Sequence, residues 1–141
     1  MRRRLARQAA LQMLFQIDLG KQTVEDALDW MRESVSLDPT MQEFATALVR
    51  GVCAHQREID DLIEHYSVGW DLTRMAGVER NLLRLGIYEM FYCDEIPLPV
   101  TINEMVELGK SFGDANSGRF INGILGKIKT DIVASASPEE E

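Results

Sequence analysis

The sequence predicts an all-α domain, a single compact bundle of about seven helices, and three observations carry that prediction. Proline occurs only at positions 39, 97, 99 and 138, so long stretches lack the residue that most strongly breaks helices. Apolar residues recur at three- and four-residue spacing, and no segment shows the strict alternation of a half-buried strand. With 141 residues, 45% of them apolar and 27% charged, the chain has the size and balance of one folded domain. Residues 1–133 are expected to form that domain, and the acidic 134–141 segment a disordered tail.

The first helix is expected from about Arg3 to Leu19, ending at Gly20, a residue type that commonly stops helices. A second runs from about Val24 to Val35 with acids on its outer face. Asp38 followed by Pro39 is a start signal, a capping side chain and then proline in the first turn. It opens a helical stretch to about Tyr66, with Phe44, Leu48, Val52, Ile59 and Ile63 near one stripe and a break near His55. "SVGWD" is a connector. The segment from about Thr73 to Tyr92 is apolar almost all round, leaving a narrow polar arc of Arg80, Asn81, Arg84 and Tyr88, which marks the central helix of a bundle. "EIPLPV" breaks the chain. The next helix reaches about Phe112, with Ile102, Met105, Leu108 and Phe112 inward and Asn103, Glu107 and Lys110 outward. "GDANS" is a turn in which Asn116 or Ser117 caps a last helix running to about Val133.

Charge is unevenly placed. The net charge is −8, yet Arg2, Arg3, Arg4 and Arg7 precede the first acid, Asp18, while residues 22–65 hold ten acids against Arg32, Arg50 and Arg57. Gln8, Gln12 and Gln16 interrupt the apolar stretch a secretory signal needs, and an Arg-rich presequence would not carry large apolar residues at helical spacing straight into a domain. The segment therefore reads as a first helix of the folded protein. On it, Ala6, Ala10, Met13 and Ile17 fall in an arc of about 60° suited to packing. Arg4, Arg7, Leu11 and Phe15 share another face of about 80°. Guanidinium groups fork onto phosphates and an exposed ring stacks on an unpaired base, so this stripe suits single-stranded nucleic acid. A merely solvated helix end with Phe15 in the core is the competing reading. A basic patch on an otherwise acidic protein orients it on a polyanion rather than coating it.

"SGRFINGILGKI" places Gly118, Gly123 and Gly126 in one helix. Each interior glycine costs about 1 kcal/mol relative to alanine, and its presence suggests close approach of another backbone. Phe120 lies at the edge of the apolar arc, either stacking surface or core.

Catalysis is not expected. Glu89 falls on the apolar side of its helix, where burial raises a carboxyl pKa unless cations or donors compensate, and it reads as a tie between helices. Cys53 and His55, two apart on a helix, point away from each other. Asn103, Glu104 and Asn122 read as capping or interhelical groups. There is no phosphate-cradling glycine loop and no metal-ligand cluster, so neither metal nor cofactor is expected. Two isolated cysteines fit a reducing cytoplasm, and no apolar run is long enough to span a bilayer.

Four blocks, "RRRLARQAALQMLFQ", "GVERNLLRLGIYEM", "IPLPVTINEMVELGKSFG" and "FINGILGKI", stand in an order and spacing that resemble the bacterial antitermination NusB family, over about Arg3 to Ile128. The resemblance implies a seven-helix fold that binds boxA, a short single-stranded element in nascent ribosomal RNA leaders. It implies a partner, the small-subunit ribosomal protein NusE, and a complex with RNA polymerase, NusA and NusG that keeps transcription processive. Carried over position by position, it puts an RNA surface at Arg3, Arg4, Arg7, Gln12 and Phe15, at Glu79, and at Asn116, Ser117, Arg119 and Phe120. It places the NusE-like partner on the acidic side, around the fourth and fifth helices. Gly126 departs from the family's usual acid after "NG-x-L", and Asn116 is neutral where relatives often carry charge. The alternative from another class is a helical adaptor or homodimer without specific RNA binding. Related domains also occur fused to RNA-modifying methyltransferases, for which this sequence has no second domain.

Overall fold

A computed structural model describes residues 2–136. It contains seven α-helices and one short 3-10 turn: α1 Arg2–Asp18, α2 Val24–Ser34, α3 Pro39–Ala54, α4 Gln56–Tyr66, α5 Gly77–Tyr92, α6 Leu98–Phe112 and α7 Ser117–Ala136, the 3-10 turn being Leu72–Arg74. No strand occurs among the described residues. Most of the expected tail lies beyond them, and α7 continues three residues past Val133.

Local chemistry explains the boundaries. The Thr23 hydroxyl accepts from the Asp26 amide at 3.0 Å and caps α2, whose first turn holds Glu25 and Asp26 against the positive end of the helix dipole. Asp38 accepts from the Met41 amide at 2.9 Å, with Pro39 in the first turn of α3. The break at His55 is real, with φ −113° and ψ 17° separating α3 from α4. Two expected boundaries move. Leu72–Arg74 form a separate turn, and extended Met75 and Ala76 delay the start of α5 to Gly77. After α1 the left-handed residue is Lys21, φ 59°, not Gly20. Gly20 is needed for space instead, since a Cβ there would sit 2.6 Å from the Gln16 carbonyl oxygen.

α5 is the axis of the bundle and packs against α1, α3, α4, α6 and α7. Leu82, Leu83, Leu85, Ile87 and Met90 are buried on it, each worth about 1.5–3 kcal/mol in removal from water. Arg80, Asn81 and Arg84 of its polar arc are buried too, with Tyr88 half-buried, which the helical wheel alone does not reveal. Arg80 donates to Asp18 at the end of α1 and to the carbonyls of Leu72 and Met75. Asn81 donates to Asp18 and to the Gly77 carbonyl. Arg84 forks onto both oxygens of Asp60 on α4, at 2.8 and 3.0 Å. Burial pushes the Asp18 carboxyl up, but hydrogen bonds from Arg80 and Asn81 and the charges of Arg84 and Arg80 outweigh it and hold Asp18 below the usual carboxylate range. Paired this way, the ions compensate a desolvation cost of several kcal/mol each and lock α1, α4 and α5 together.

α6 and α7 approach closely where Gly109 faces Gly118: a Cβ on Gly109 would lie 2.8 Å from the Ile121 Cδ1 and 3.5 Å from the Gly118 nitrogen. The close-approach reading of the α7 glycines therefore holds at Gly118 and fails at Gly123 and Gly126, whose added Cβ atoms would meet nothing within 4 Å. Phe112, expected inward, is 47% exposed; the last turn of α6 turns its ring toward the flank of α1 rather than into the core.

Candidate nucleic-acid interface

The arginine-rich start of α1 is less free than its composition implies. Arg7 is only 2% exposed and forks onto Glu89 of α5 at 2.6 and 2.9 Å. Thr101 of α6 adds a third hydrogen bond to Glu89, at 2.9 Å. The donors needed to compensate a buried Glu89 are thus present, and its expected role as a tie between helices is correct. Arg7, by contrast, is corrected from an RNA contact to an internal strut, because releasing it would strand a fully buried carboxylate. Leu11, on the same supposed stripe, is also buried.

The remaining arginines differ among themselves. Arg2 binds Asp38 at 2.7 Å. Arg4 forks onto Glu104 at 2.8 Å to each oxygen and stays partly exposed. That hydrogen bond and the adjacent charge raise the Arg4 pKa and lower that of Glu104 against the opposing effect of burial. Arg3 has no carboxylate partner among the described residues and lies over the Phe44 ring, 4.6 Å from its centroid, a cation–π contact that aims the group without neutralising it. These arginines, with Glu95, Ile96, Pro97 and Val100, border a surface depression.

Further along α1, Gln12 is exposed and Phe15 half-buried. They line an open apolar cleft of about 330 Å³ with Leu5, Gln8, Val78 and Phe112. Phe112, expected inward from the sequence, lines this cleft instead; apolar residues at the end of a helix give no signal of which side they take. The cleft leads to α7 through the first turn of α5. Phe15 packs on Gly77, where a Cβ would lie 3.0 Å from its ring. Two residues on, Glu79 accepts a 2.8 Å hydrogen bond from the Ser117 hydroxyl, which in turn accepts from the Asp114 amide at 2.9 Å. Ser117 is buried and fixes the turn; Asn116 and Arg119 are exposed, and Phe120 is half-buried. Asn116 caps α7 through its backbone carbonyl, which accepts from the Phe120 amide at 3.0 Å. Phe15 and the turn that opens α7, far apart in the sequence, therefore both meet the start of α5.

No cluster of metal-ligating side chains occurs among the described residues. Burial, with Glu89 and Glu95 nearby, pushes the Cys93 thiol up to about 11, and burial also raises Cys53, so neither is an activated nucleophile. No helix among the described residues is long and apolar enough to cross a membrane.

The architecture is a small all-helical bundle in which α1 and α7 both pack against a central α5. The NusB family model matches residues 4–130, and the chain belongs to the NusB family. It is 46% identical to the transcription antitermination protein NusB of Pelotomaculum thermopropionicum over 140 residues, 99% of this chain and 93% of the relative. Among solved structures, NusB of T. maritima superposes with a TM-score of 0.83 at 36% identity, covering 93% of this chain and 92% of that one. A chain in a crystal structure of antitermination factors NusB and NusE with double-stranded RNA superposes at 0.84 with 29% identity, covering 92% and 97%.

Proposed function

We propose that this protein is a transcription antitermination factor that binds boxA-type single-stranded RNA in nascent ribosomal RNA leaders, jointly with a NusE-like ribosomal protein. In this reading it acts in the cytoplasm, and the pair associates with RNA polymerase, NusA and NusG to support elongation past terminators. The observation that supports the reading is that the start of α5 meets both segments: Gly77 lies against Phe15, beside Gln12 and on the Arg4 side of α1, and Glu79 holds Ser117 in the turn that carries Asn116, Arg119 and Phe120. Arg3, Arg4 and Arg119 contact phosphates and set register, since backbone contacts position without specifying. Phe15 and Phe120 offer rings to unpaired bases, and Gln12 and Asn116 offer amide groups to base edges. Glu79 acts at one remove by holding Ser117 and thereby the turn that presents Phe120.

The NusE-like partner fits the opposite character of α4 and the end of α5. Glu58, Asp61 and Glu64 are exposed on α4. Tyr92, 47% exposed, stacks on His55 with ring centroids 4.3 Å apart. Acidic side chains beside exposed aromatic surface suit a basic ribosomal protein.

The test is a titration of boxA RNA and a scrambled control, with and without the NusE-like protein. With about three phosphate contacts, the slope of log K against log salt should be about −2. Equal affinity for both RNAs, or a flat salt response, would favour the adaptor or homodimer alternative.

A further inference from the structure

We propose that the shallow groove between α7 and the α4–α5 connector is a second RNA-binding segment, taking unpaired nucleotides that flank the element held on the face described above. It rests on that reading of the protein as an RNA binder and extends the path beyond Phe120 to Trp70 and Lys127.

Trp70 is 56% exposed in the connector, an unusual position for the largest apolar side chain unless something covers it. Its ring meets Phe120 edge to face, with centroids 5.7 Å apart, so the two rings form a small aromatic wall in a groove of about 230 Å³. Arg119 and Lys127 border the same groove and have no carboxylate partner among the described residues. Although the chain carries a net charge of −8, no Asp or Glu among the described residues lines this groove; Asp71, next to Trp70, accepts from the Thr73 amide at 3.1 Å and caps the 3-10 turn, and Asp131 accepts from the Tyr66 hydroxyl. Asn116, Arg119, Phe120, Gly123 and Lys127 follow at three- and four-residue spacing and share one face of α7.

Gly123 supplies an independent observation. Glycine destabilises a helix interior relative to alanine, and none of the described residues lies close enough to require one there. Its bare backbone leaves the groove floor open beside Phe120, where an incoming strand would pass. Rings to stack on, unpaired cations and an unobstructed floor are the combination that binds single-stranded nucleic acid with little sequence preference. A basic protein partner, by contrast, would meet only like charge here.

The experiment uses the full chain and two RNAs: the bare boxA element, and the same element with a short uridine tail at one end or the other. The tail should tighten binding to the parent protein. Trp70→Ala and Lys127→Ala should each weaken the tailed RNA by about five-fold or more while leaving the bare element unchanged. Gly123→Leu, which fills the groove without removing ring or charge, should do the same. Circular dichroism and thermal melting check that each variant is folded. In a Trp30→Phe background, where Trp70 is the remaining tryptophan, the tailed RNA should change the fluorescence and the bare element should not. The proposal is overturned if the tail adds no affinity, if the groove variants weaken both RNAs alike, or if they spare the tailed RNA and instead release a protein partner. If the parent binds no boxA RNA, the proposed function fails by itself. A uridine oligomer then decides the groove: binding lost in Trp70→Ala sustains it, and unchanged binding ends it.

Discussion

The two cationic regions of the molecule put their charge to different uses. The start of α1 has four guanidinium groups within six residues, but Asp38, Glu104 and Glu89, brought from three other parts of the chain, engage Arg2, Arg4 and Arg7. α7 carries Arg119, Lys127 and Lys129, and none of them is paired with a carboxylate among the described residues. Counting charge along the chain therefore overstates the field at α1 and understates it at α7. An arginine held by a carboxylate in low dielectric is a structural fastener, whereas one left in solvent is a ligand for phosphate.

The largest effect should separate those two uses. Arg7→Ala strands Glu89 in the core and should cost about 3–5 kcal/mol of stability, read from urea denaturation, while Arg119→Ala should stay within about 0.5 kcal/mol of the parent. An Arg7→Ala variant as stable as the parent would sink the distinction. Next, Phe120→Ala should lose about 1–3 kcal/mol of RNA affinity if its ring stacks on a base, with helical circular dichroism retained. Unfolding would instead assign the ring to the core.

A third contrast lies within the helices. Gly126→Ala should stabilise α7 by about 0.5–1 kcal/mol, because the helix gains propensity and the new Cβ meets open space. Gly109→Ala should destabilise the protein, since the Cδ1 of buried Ile121 would stand 2.8 Å from the new Cβ and must shift. Smaller still, Arg3→Ala should reduce the salt slope for RNA by about 0.7, the share of one phosphate contact, and Arg2→Ala should change it less. The smallest effect is acid sensitivity. Glu104 and Asp18 titrate below their ordinary values of 4.5 and 3.8, so their contribution is present above those values and disappears as pH falls through the lowered ones. Thermal stability should be level from neutral pH down to about 5 and fall below about 4. Glu104→Gln should shed its part of that fall and cost no more than about 1 kcal/mol at neutral pH, as a partly exposed pair.

Much of the fold was legible because helices are written in local spacing. The centrality of α5 followed from its nearly unbroken apolar circumference, the break at His55 and the start at Asp38–Pro39 were both visible, and Glu89 on the apolar side was recognisable as a tie. For the candidate site the sequence marked only the clustered arginines and the α7 glycines. Its details were not. Arg7 and Glu89 are 82 positions apart, and no local pattern distinguishes an arginine that will meet a buried carboxylate from one that will meet water. Phe112 and Trp70 were missed for a related reason: a helix end or connector has no periodicity to say which way a ring turns.

The sequence alone determined that seven helices form, where most begin and end, and which one lies at the centre, because capping, proline placement and three-to-four-residue spacing act over one or two turns. Only the tertiary structure decided which charges remain available, which rings face outward, and that the start of α5, which meets Phe15 of α1, is tied to the start of α7 by the 2.8 Å bond between Glu79 and Ser117. Those outcomes depend on pairings across the whole chain, and the strength of each is set by the burial that folding creates.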